Sequence, residues 1–164
     1  MKSLVTGGAG FIGSNLVDFL VKKGHKVIVL DNFSTGRKSN LKHHSRQKVK
    51  IIKLDLSSNK NISKYFKNIK YVFHLAGLAD IVPSIENPKE YFYSNLLGTL
   101  NIVEAASKYK IKKFIYAASA SCYGIPNKTP TTENAKIKPM YPYALTKWQA
   151  EELVMHWFKV YNFP

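Results

Sequence analysis

Short apolar runs alternate with longer stretches of helical periodicity along the chain. The apolar runs predict five buried strands, over residues 2–6, 26–30, 49–54, 71–74 and 113–117. Apolar positions that recur every three or four residues predict the helices between and after them, over residues 11–23, 62–66, 88–109 and 141–161. This alternation is typical of a parallel sheet that helices cover on both faces.

The order of these elements predicts one α/β domain, residues 1–164, built on a Rossmann-type doubly wound parallel sheet. Right-handed crossovers between the strands give the sheet order 3-2-1-4-5. Two polar stretches, 32–47 and 124–139, are predicted to be surface loops. We expect a ligand at the carboxyl ends of the strands, beside the point between the first and fourth strands where the winding direction reverses.

A glycine motif joins the first predicted strand to the first helix, with Gly7, Gly10 and Gly13 at three-residue spacing. Glycine lets the backbone turn tightly and approach a pyrophosphate, which the free amides of a helix N-terminus can bind. A plain tight turn is the alternative, but Asp31 follows at the end of the second strand. A carboxylate there can accept hydrogen bonds from both ribose hydroxyls of an adenosine and repels a 2′-phosphate, which favours NAD over NADP. Arg37 nearby weakens that preference.

The candidate chemistry lies in Ser119 and in the pair Tyr143 and Lys147, which are four residues apart and share one helix face. A phenol is a poor base at neutral pH because its ordinary pKa is about 10, but a neighbouring ammonium and a positive nicotinamide stabilise the phenolate. Such a phenolate can take a proton from a sugar hydroxyl while hydride leaves the same carbon, with Ser119 relaying the proton. A lone Tyr-Lys pair is usually only an exposed helix pair; the glycine motif and the strand-end serine favour the catalytic interpretation.

The net charge of +15 raises the question of a nucleic-acid or membrane partner. The 25 basic residues comprise 23 lysines and only 2 arginines, spread along the chain without a block of five like charges. Because arginine is the usual reader of bases and phosphates, we expect lysine-rich solvated faces and no nucleic-acid or membrane partner. The alternative is a nucleic-acid site in the densest basic region, residues 37–53.

Other features bear on the compartment and on metals. No apolar run reaches the roughly 18 to 20 residues that span a bilayer, and the start of the chain runs directly into the glycine motif, which leaves no room for a signal peptide. The single cysteine, Cys122, fits a reducing compartment, so we expect a cytoplasmic protein. His43 and His44 are predicted to be an exposed loop pair, and no spacing of ligand residues predicts a metal site.

Together these motifs resemble the extended short-chain dehydrogenase/reductase family, in its NAD-dependent epimerase/dehydratase group, and there most of all the UDP-sugar (glucose or N-acetylglucosamine) 4-epimerases. The resemblance covers essentially all 164 residues and rests on segments 6–13, 31–32, 55–56, 74–77, 95, 98–99, 119–124 and 143–147. It implies transient oxidation of the sugar at C4 by tightly held NAD, followed by return of the hydride to the other face.

The resemblance also implies residue roles. It makes Ser119, Tyr143 and Lys147 catalytic. The cofactor contacts that it implies are Gly7, Gly10, Phe11, Ile12, Gly13, Asp31, Asn32, Asp55, Leu56, Leu75, Ala76, Gly77, Asn95, Tyr143 and Lys147. For Asp55, a turn or helix-cap role is an equally good interpretation of the sequence alone.

The implied partners are a UDP-sugar and either a second copy of the chain, joined through the two long helices, or a separate C-terminal half. Family members are much longer and carry a C-terminal domain that grips the nucleotide sugar, so we expect this chain to bind NAD but not to catalyse alone. A reductase or decarboxylase acting on a nucleotide sugar, and an NAD-binding module without turnover, stay open as alternatives. Ser119-Ala120-Ser121 stands where dehydratases carry Thr-Asp-Glu, which disfavours dehydration.

Overall fold

The computed structural model, which describes residues 1–58 and 61–164, contains a single five-stranded parallel sheet in the order β3-β2-β1-β4-β5. This is the order that the sequence predicts. The strands are β1 (Lys2–Thr6), β2 (Lys26–Asp31), β3 (Val49–Lys53), β4 (Tyr71–His74) and β5 (Lys113–Tyr116). Thr6 is in register with Leu30 and with His74, and His74 with Tyr116. The carboxyl ends of four strands therefore lie level along one edge.

Helices connect β1 to β2 and β4 to β5, and the last and longest helix follows β5. They are α1 (Phe11–Lys22), α2 (Ile81–Glu86), α3 (Pro88–Tyr91), α4 (Gly98–Ser107) and α5 (Pro142–Tyr161). A π-helical segment, Phe92–Leu97, joins α3 to α4 without a break. The helix predicted over 88–109 is thus present, but its middle is wound more loosely than an α-helix.

Short single turns account for the other differences from the prediction. Helix α2 was not predicted at all, because it has six residues and contains Pro83. The helix predicted over 62–66 is a 3₁₀ turn, Ser63–Phe66, and further 3₁₀ turns span Lys38–Leu41 and Ala120–Tyr123. The prediction of an exposed histidine pair was half wrong: His43 is 55% exposed, whereas the His44 side chain is only 9% exposed.

Each face of the sheet buries its own apolar core. On β1, Leu4 faces the core formed with α4, whereas the next residue, Val5, faces the core formed with α1; both are fully buried. Because both faces are covered, the strands are apolar at consecutive positions rather than at alternate ones. Successive side chains of a strand point to opposite faces of the sheet, whereas the carboxyl ends of the strands lie along one edge.

Strand β5 lies at the edge of the sheet, where its backbone needs partners. The Phe114 amide donates a hydrogen bond to the Pro164 carbonyl at 2.8 Å, so the last residue of the chain continues the ladder. Phe163 is buried, and its ring centroid lies 5.1 Å from that of Phe114. Among the described residues, no helix combines the length and the apolarity needed to cross a membrane.

Candidate active site

A groove of about 320 Å³ follows the carboxyl ends of the strands, at the place where the sequence predicts a ligand. Of the predicted cofactor contacts, twelve line it: Gly7, Gly10, Phe11, Ile12, Gly13, Asp31, Asn32, Asp55, Leu56, Leu75, Ala76 and Gly77. Seven further residues complete the lining, and no sequence motif identified them: Leu30, Ser34, Thr35, Gly36, Leu54, Ser94 and Ala117. Asn95, Tyr143 and Lys147 lie outside this lining.

Backbone packing explains two glycines of the motif. Gly7 has a φ of +66°, and a Cβ there would lie 2.7 Å from the Ala76 amide nitrogen, at the loop after β4. A Cβ on Gly13 would lie 2.1 Å from the Gly7 carbonyl oxygen. Neither space can hold even a methyl group, because the atoms in the way belong to the backbone. The motif therefore brings α1, β1 and β4 into direct contact beneath the groove.

The N-terminus of α1 opens into the groove without a cap. Its first intrahelical bond runs from the Ser14 amide to the Gly10 carbonyl at 2.9 Å, so the amides of Phe11, Ile12 and Gly13 have no acceptor within the helix. No side chain caps this end, and its first turn carries no acidic residue. An uncapped helix end that faces a cavity is suited to binding an anion.

Asp31 ends β2 beside the glycine motif and is held in a fixed orientation. The Ala9 amide donates to its Oδ2 at 2.9 Å, and the Phe33 amide donates to its Oδ1 at 2.8 Å. The side chain is 7% exposed, yet it lines the groove. Because each carboxylate oxygen can accept more than one hydrogen bond, both still have capacity for ligand hydroxyls.

Asp55 follows β3, where its side chain closes a turn at the border of the groove. Its Oδ1 accepts hydrogen bonds from the Ser57 amide at 2.9 Å and from the Ser57 hydroxyl at 2.7 Å, which closes a local turn. The residue also lines the groove. The same residue therefore closes a turn and lines the groove.

Tyr143 and Ser119 meet although 24 residues separate them. The Tyr143 hydroxyl donates to Ser119 Oγ at 3.2 Å. Ser119 Oγ also lies 2.7 Å from Ser121 Oγ and accepts from the Ser121 amide at 3.3 Å. Tyr143 belongs to the first turn of α5, which Pro142 helps to start, and Ser119 caps the 3₁₀ turn that follows β5.

Lys147 lies one helical turn after Tyr143 and is 8% exposed. Its Nζ donates to the Ala117 carbonyl at 2.6 Å and lies 4.3 Å from the centroid of the Tyr116 ring. Burial lowers the pKa of Lys147 to about 8, against the opposing attraction of Glu151. Since Ala117 lines the groove, the ammonium contacts the groove wall from behind. The predicted catalytic residues thus gather at one end of the groove.

A chain of hydrogen bonds with a fixed direction supports the groove from below. Thr6 Oγ1 accepts from the amides of Leu75 and Ala76, each at 3.1 Å, so its own proton goes to Nδ1 of His74, 2.6 Å away. Nε2 of His74 then donates to Thr99 Oγ1 at 2.9 Å, and that hydroxyl donates to the Asn95 carbonyl. Burial, and secondarily the charge of Lys147, lower the pKa of His74 to about 3, in agreement with a neutral ring.

Asn95, predicted from the resemblance as a cofactor contact, is buried beside the groove. Its Oδ1 accepts from the Leu78 amide at 2.8 Å, and its Nδ2 donates to the Leu78 carbonyl at 3.0 Å and to Thr146 Oγ1 at 3.1 Å. A Cβ on Gly77 would lie 2.9 Å from this side-chain oxygen. Asn95 therefore fastens the loop after β4 to α5, and it is Ser94 that lines the groove.

These features fit a dinucleotide. Uncapped amides at the start of α1 and close backbone at Gly7 suit a diphosphate, and the oriented carboxylate of Asp31 suits a ribose diol. Ala117 also lines the groove and precedes by two residues Ser119, whose hydroxyl pairs with that of Tyr143. A molecule bound along the groove would therefore connect the adenosine end to acid–base groups.

The chain matches the NAD dependent epimerase/dehydratase family over residues 3–164. It is 37% identical over 161 residues to a UDP-glucose 4-epimerase of Pisum sativum, in a match that covers 93% of this chain and 46% of that protein. A UDP-N-acetylglucosamine 4-epimerase from Methanobrevibacter ruminantium M1, solved with UDP-N-acetylmuramic acid, superposes with a TM-score of 0.93 at 35% identity, over 99% of this chain and 52% of that one. The UDP-glucose 4-epimerase of Thermus thermophilus, solved with NAD, gives 0.89 at 34% identity, over 99% and 52%. The chain spans about half the length of these relatives.

Proposed function

The chain belongs to the NAD-dependent epimerase/dehydratase family, and we propose that the whole protein inverts C4 of a UDP-hexose, UDP-glucose or UDP-N-acetylglucosamine. The observation that carries the proposal is the contact of Tyr143 with Ser119 at 3.2 Å, beside Lys147 and at the end of the dinucleotide groove. The Pisum sativum and Methanobrevibacter ruminantium relatives, named for this reaction, support the substrate class.

NAD is the cofactor, in keeping with the family and with the Thermus thermophilus structure solved with NAD. We propose that the diphosphate lies over the amides at the start of α1, and that Asp31 accepts hydrogen bonds from the adenosine ribose. Asp55 would accept a hydrogen bond from the adenine amino group. Asn32, Leu56 and residues 75–77 would pack against the cofactor. When bound, NAD accepts the hydride from the sugar carbon and returns it.

Side chains of this protein perform the acid–base catalysis. The Tyr143 phenolic oxygen takes the proton of the C4 hydroxyl as hydride leaves that carbon, and gives it back when hydride returns. Ser119 hydrogen-bonds the same sugar oxygen and relays its proton to the Tyr143 phenolate, since the two side-chain oxygens lie 3.2 Å apart. The ammonium of Lys147, held on the Ala117 carbonyl, favours the phenolate electrostatically.

Two other functions compete with epimerisation. A nucleotide-sugar reductase would use the same three side chains but would consume one reduced cofactor per turnover, whereas a decarboxylase would need a sugar acid as substrate and would release CO₂. An NAD-binding module would have the groove without turnover, and the chain's coverage of about half of its relatives keeps this candidate open. The balance of cofactor redox state and the release of CO₂ therefore separate these functions.

The deciding experiment uses the full-length protein that contains this chain, with UDP-glucose and UDP-N-acetylglucosamine tested separately. Chromatography of the nucleotide sugars should show conversion to the C4 epimer, with no net change in NADH absorbance. Stoichiometric NADH formation or loss would favour the reductase, and CO₂ release from UDP-glucuronic acid, tested in parallel, would favour the decarboxylase. Bound NAD with neither product nor absorbance change would leave only the binding module. The isolated 164-residue chain should bind NAD but catalyse neither reaction.

We further propose that two copies associate through the long helices, as a cytoplasmic homodimer. Apolar side chains lie exposed along α5 and along the helix before it: Phe92, Tyr93, Met155, Phe158, Val160 and Tyr161. Such a patch favours an interface, and a separate C-terminal half is the competing occupant. Sedimentation of the full-length protein and of its Phe158→Glu variant should give a dimer and a monomer, respectively.

A further inference from the structure

Three ligand atoms converge on the outer face of α1, away from the groove. Nε2 of His43 lies 2.9 Å from Asp18 Oδ1, and Nε2 of His44 lies 2.6 Å from the same oxygen. The two imidazole rings are 4.1 Å apart between centroids. All three ligand atoms lie within 4.8 Å of one another, and no other group of this kind occurs in the described part of the chain.

The fold holds these residues together. Leu41 is fully covered and belongs to the same core as Val17 and Leu20 of α1, which anchors the 3₁₀ turn to the helix. The His44 amide donates to the Leu41 carbonyl at 3.2 Å, so the two histidines follow directly from that anchor. Asp18 stands next to Val17 on α1 and is reached by both rings. The cluster is therefore set by core packing and not by a chance meeting of flexible side chains.

We propose that Asp18, His43 and His44 form a binding site for a first-row transition-metal dication, with Zn²⁺ as the reference ion. Two imidazole nitrogens and one carboxylate oxygen are ligands that such ions prefer. Ligand atoms around a tetrahedral Zn²⁺ lie about 3.3 Å apart, given bonds of about 2.0–2.1 Å. The three atoms need only small side-chain adjustments to reach that spacing, which the 55% exposed His43 and the 48% exposed Asp18 side chains permit. Water fills the remaining position.

The ligand atoms and the surrounding charges suit a cation that binds nitrogen strongly. A metal takes the place of the two ring protons: a neutral ring moves its proton to Nδ1, and a charged ring releases one. Lys42 and Arg46 flank the histidines and Lys22 follows Asp18 by one turn. These charges oppose weakly held Mg²⁺ and Ca²⁺, which prefer oxygen ligands.

A bound ion would connect α1 to the segment that borders the groove. The Arg37 amide and the Asn40 side chain both donate to the Ala9 carbonyl, at 3.0 and 2.9 Å. Gly36 lines the groove, and a Cβ on it would lie 2.9 Å from the Ala9 backbone. The metal would thus brace residues 36–44 against the helix whose N-terminus opens into the groove. Metal binding itself does not depend on the proposed epimerase function.

The test titrates CoCl₂ into tag-free, metal-stripped protein without NAD. We expect one equivalent of Co²⁺ to give the visible d–d absorption of a four- or five-coordinate ion, and Zn²⁺ to abolish it by competition. Asp18→Asn and His43→Ala should each weaken Co²⁺ binding by at least about tenfold. His156→Ala is the matched control, because His156 is exposed on α5 and outside the cluster; it should bind like the wild type.

Thermal melting supplies a second readout, since an ion that binds only the folded state raises the melting temperature. Zn²⁺ should raise it for the wild type and for His156→Ala, but not for Asp18→Asn or His43→Ala. Circular dichroism of each variant shows whether it is folded before titration. Absence of d–d absorption in the folded wild type, or unchanged binding by folded Asp18→Asn and His43→Ala, would overturn the metal site while leaving the epimerase proposal intact.

Discussion

Tyr143 donates a hydrogen bond to Ser119 across 3.2 Å, although one residue starts α5 and the other ends the segment after β5. Ser119 Oγ accepts from Tyr143 and from the Ser121 amide, which leaves its own proton for Ser121 Oγ. In the resting arrangement, therefore, Tyr143 donates to Ser119 and Ser119 donates to Ser121. Once Tyr143 has lost its proton, the first of these bonds must reverse, so that Ser119 donates to the phenolate.

Replacing Tyr143 with Phe removes the acid–base group while keeping the ring. We expect the full-length Tyr143→Phe protein to lose about 10²- to 10⁴-fold or more in kcat, the range for lost general acid–base help. NAD affinity should stay within a few-fold, because the phenol lies outside the groove lining. Epimer formation and calorimetric NAD binding measure the two effects. Tyr109→Phe, on a tyrosine that packs against Phe66 far from the site, is the matched control; an active Tyr143→Phe enzyme would refute the assigned base.

Replacing Asp31 with Ala removes the carboxylate that two backbone amides orient in the groove. We expect the wild type to bind NAD more tightly than NADP, because a carboxylate at this place repels a 2′-phosphate. The Asp31→Ala variant should bind NAD at least about tenfold more weakly, since one good charged hydrogen bond contributes about 1.5–3 kcal/mol. The difference between its affinities for NAD and NADP should also be smaller than in the wild type. Isothermal titration with both nucleotides measures this. Tighter binding of NADP by the unmutated protein would contradict the assignment.

Two glycines of one motif should fail in different ways. A Cβ on Gly13 would lie 2.1 Å from the Gly7 carbonyl oxygen, so Gly13→Ala should destabilise the fold by at least about 1–3 kcal/mol. A Cβ on Gly10 would meet the same oxygen at 3.3 Å, which a small shift relieves. Gly10→Ala should therefore fold, yet lose NAD affinity, because Gly10 lines the groove. Urea denaturation and NAD titration of both variants separate the effects; equal stabilities would show that the packing argument is wrong.

Burial of Lys147 should make stability depend on pH. The pKa falls from 10.5 in the unfolded chain to about 8 in the folded one, so the unfolded chain holds more protons between these values. The free energy of unfolding must then rise with pH from about 8 to about 10.5, by up to about 3 kcal/mol from this group. Lys147→Met should lack this rise. Urea denaturation of both proteins at several pH values between about 7.5 and 10.5 checks it, and a wild-type-minus-variant difference that stays constant would contradict it.

The sequence predicts the strands well because of where they lie. Residues such as Leu4 and Val5 are covered on opposite faces, which makes the whole strand apolar and short, and the glycines mark its end. Ser119, Tyr143 and Lys147 were found for another reason: their chemistry is unusual enough to stand out at the ends of predicted elements. In both cases the residue types and their positions along the chain were enough to make the prediction.

Contacts between distant segments set what the sequence did not predict. The approach of Asp18 to His43 needs the burial of Leu41, which no spacing reveals. Residues 34–36 line the groove only because Gly36 packs on Ala9, and the side chain of Asn95 turns away from the groove to reach Leu78. The π-helical segment packs against α5, a contact that no local sequence pattern reveals.

The directed chain through Thr6, His74 and Thr99 restricts the mutational paths open to this protein. Each hydroxyl or ring nitrogen has a single proton arrangement that satisfies its neighbours, so one exchange alone strands a buried donor or acceptor, at a cost of about 1–3 kcal/mol. Exchanging His74 and Thr99 together, for apolar residues of similar shape, avoids part of that cost, whereas Thr6 is also the acceptor for the amides of Leu75 and Ala76. Strong epistasis is therefore expected among three positions that never touch the cofactor groove, and evolutionary change there should come in concerted steps.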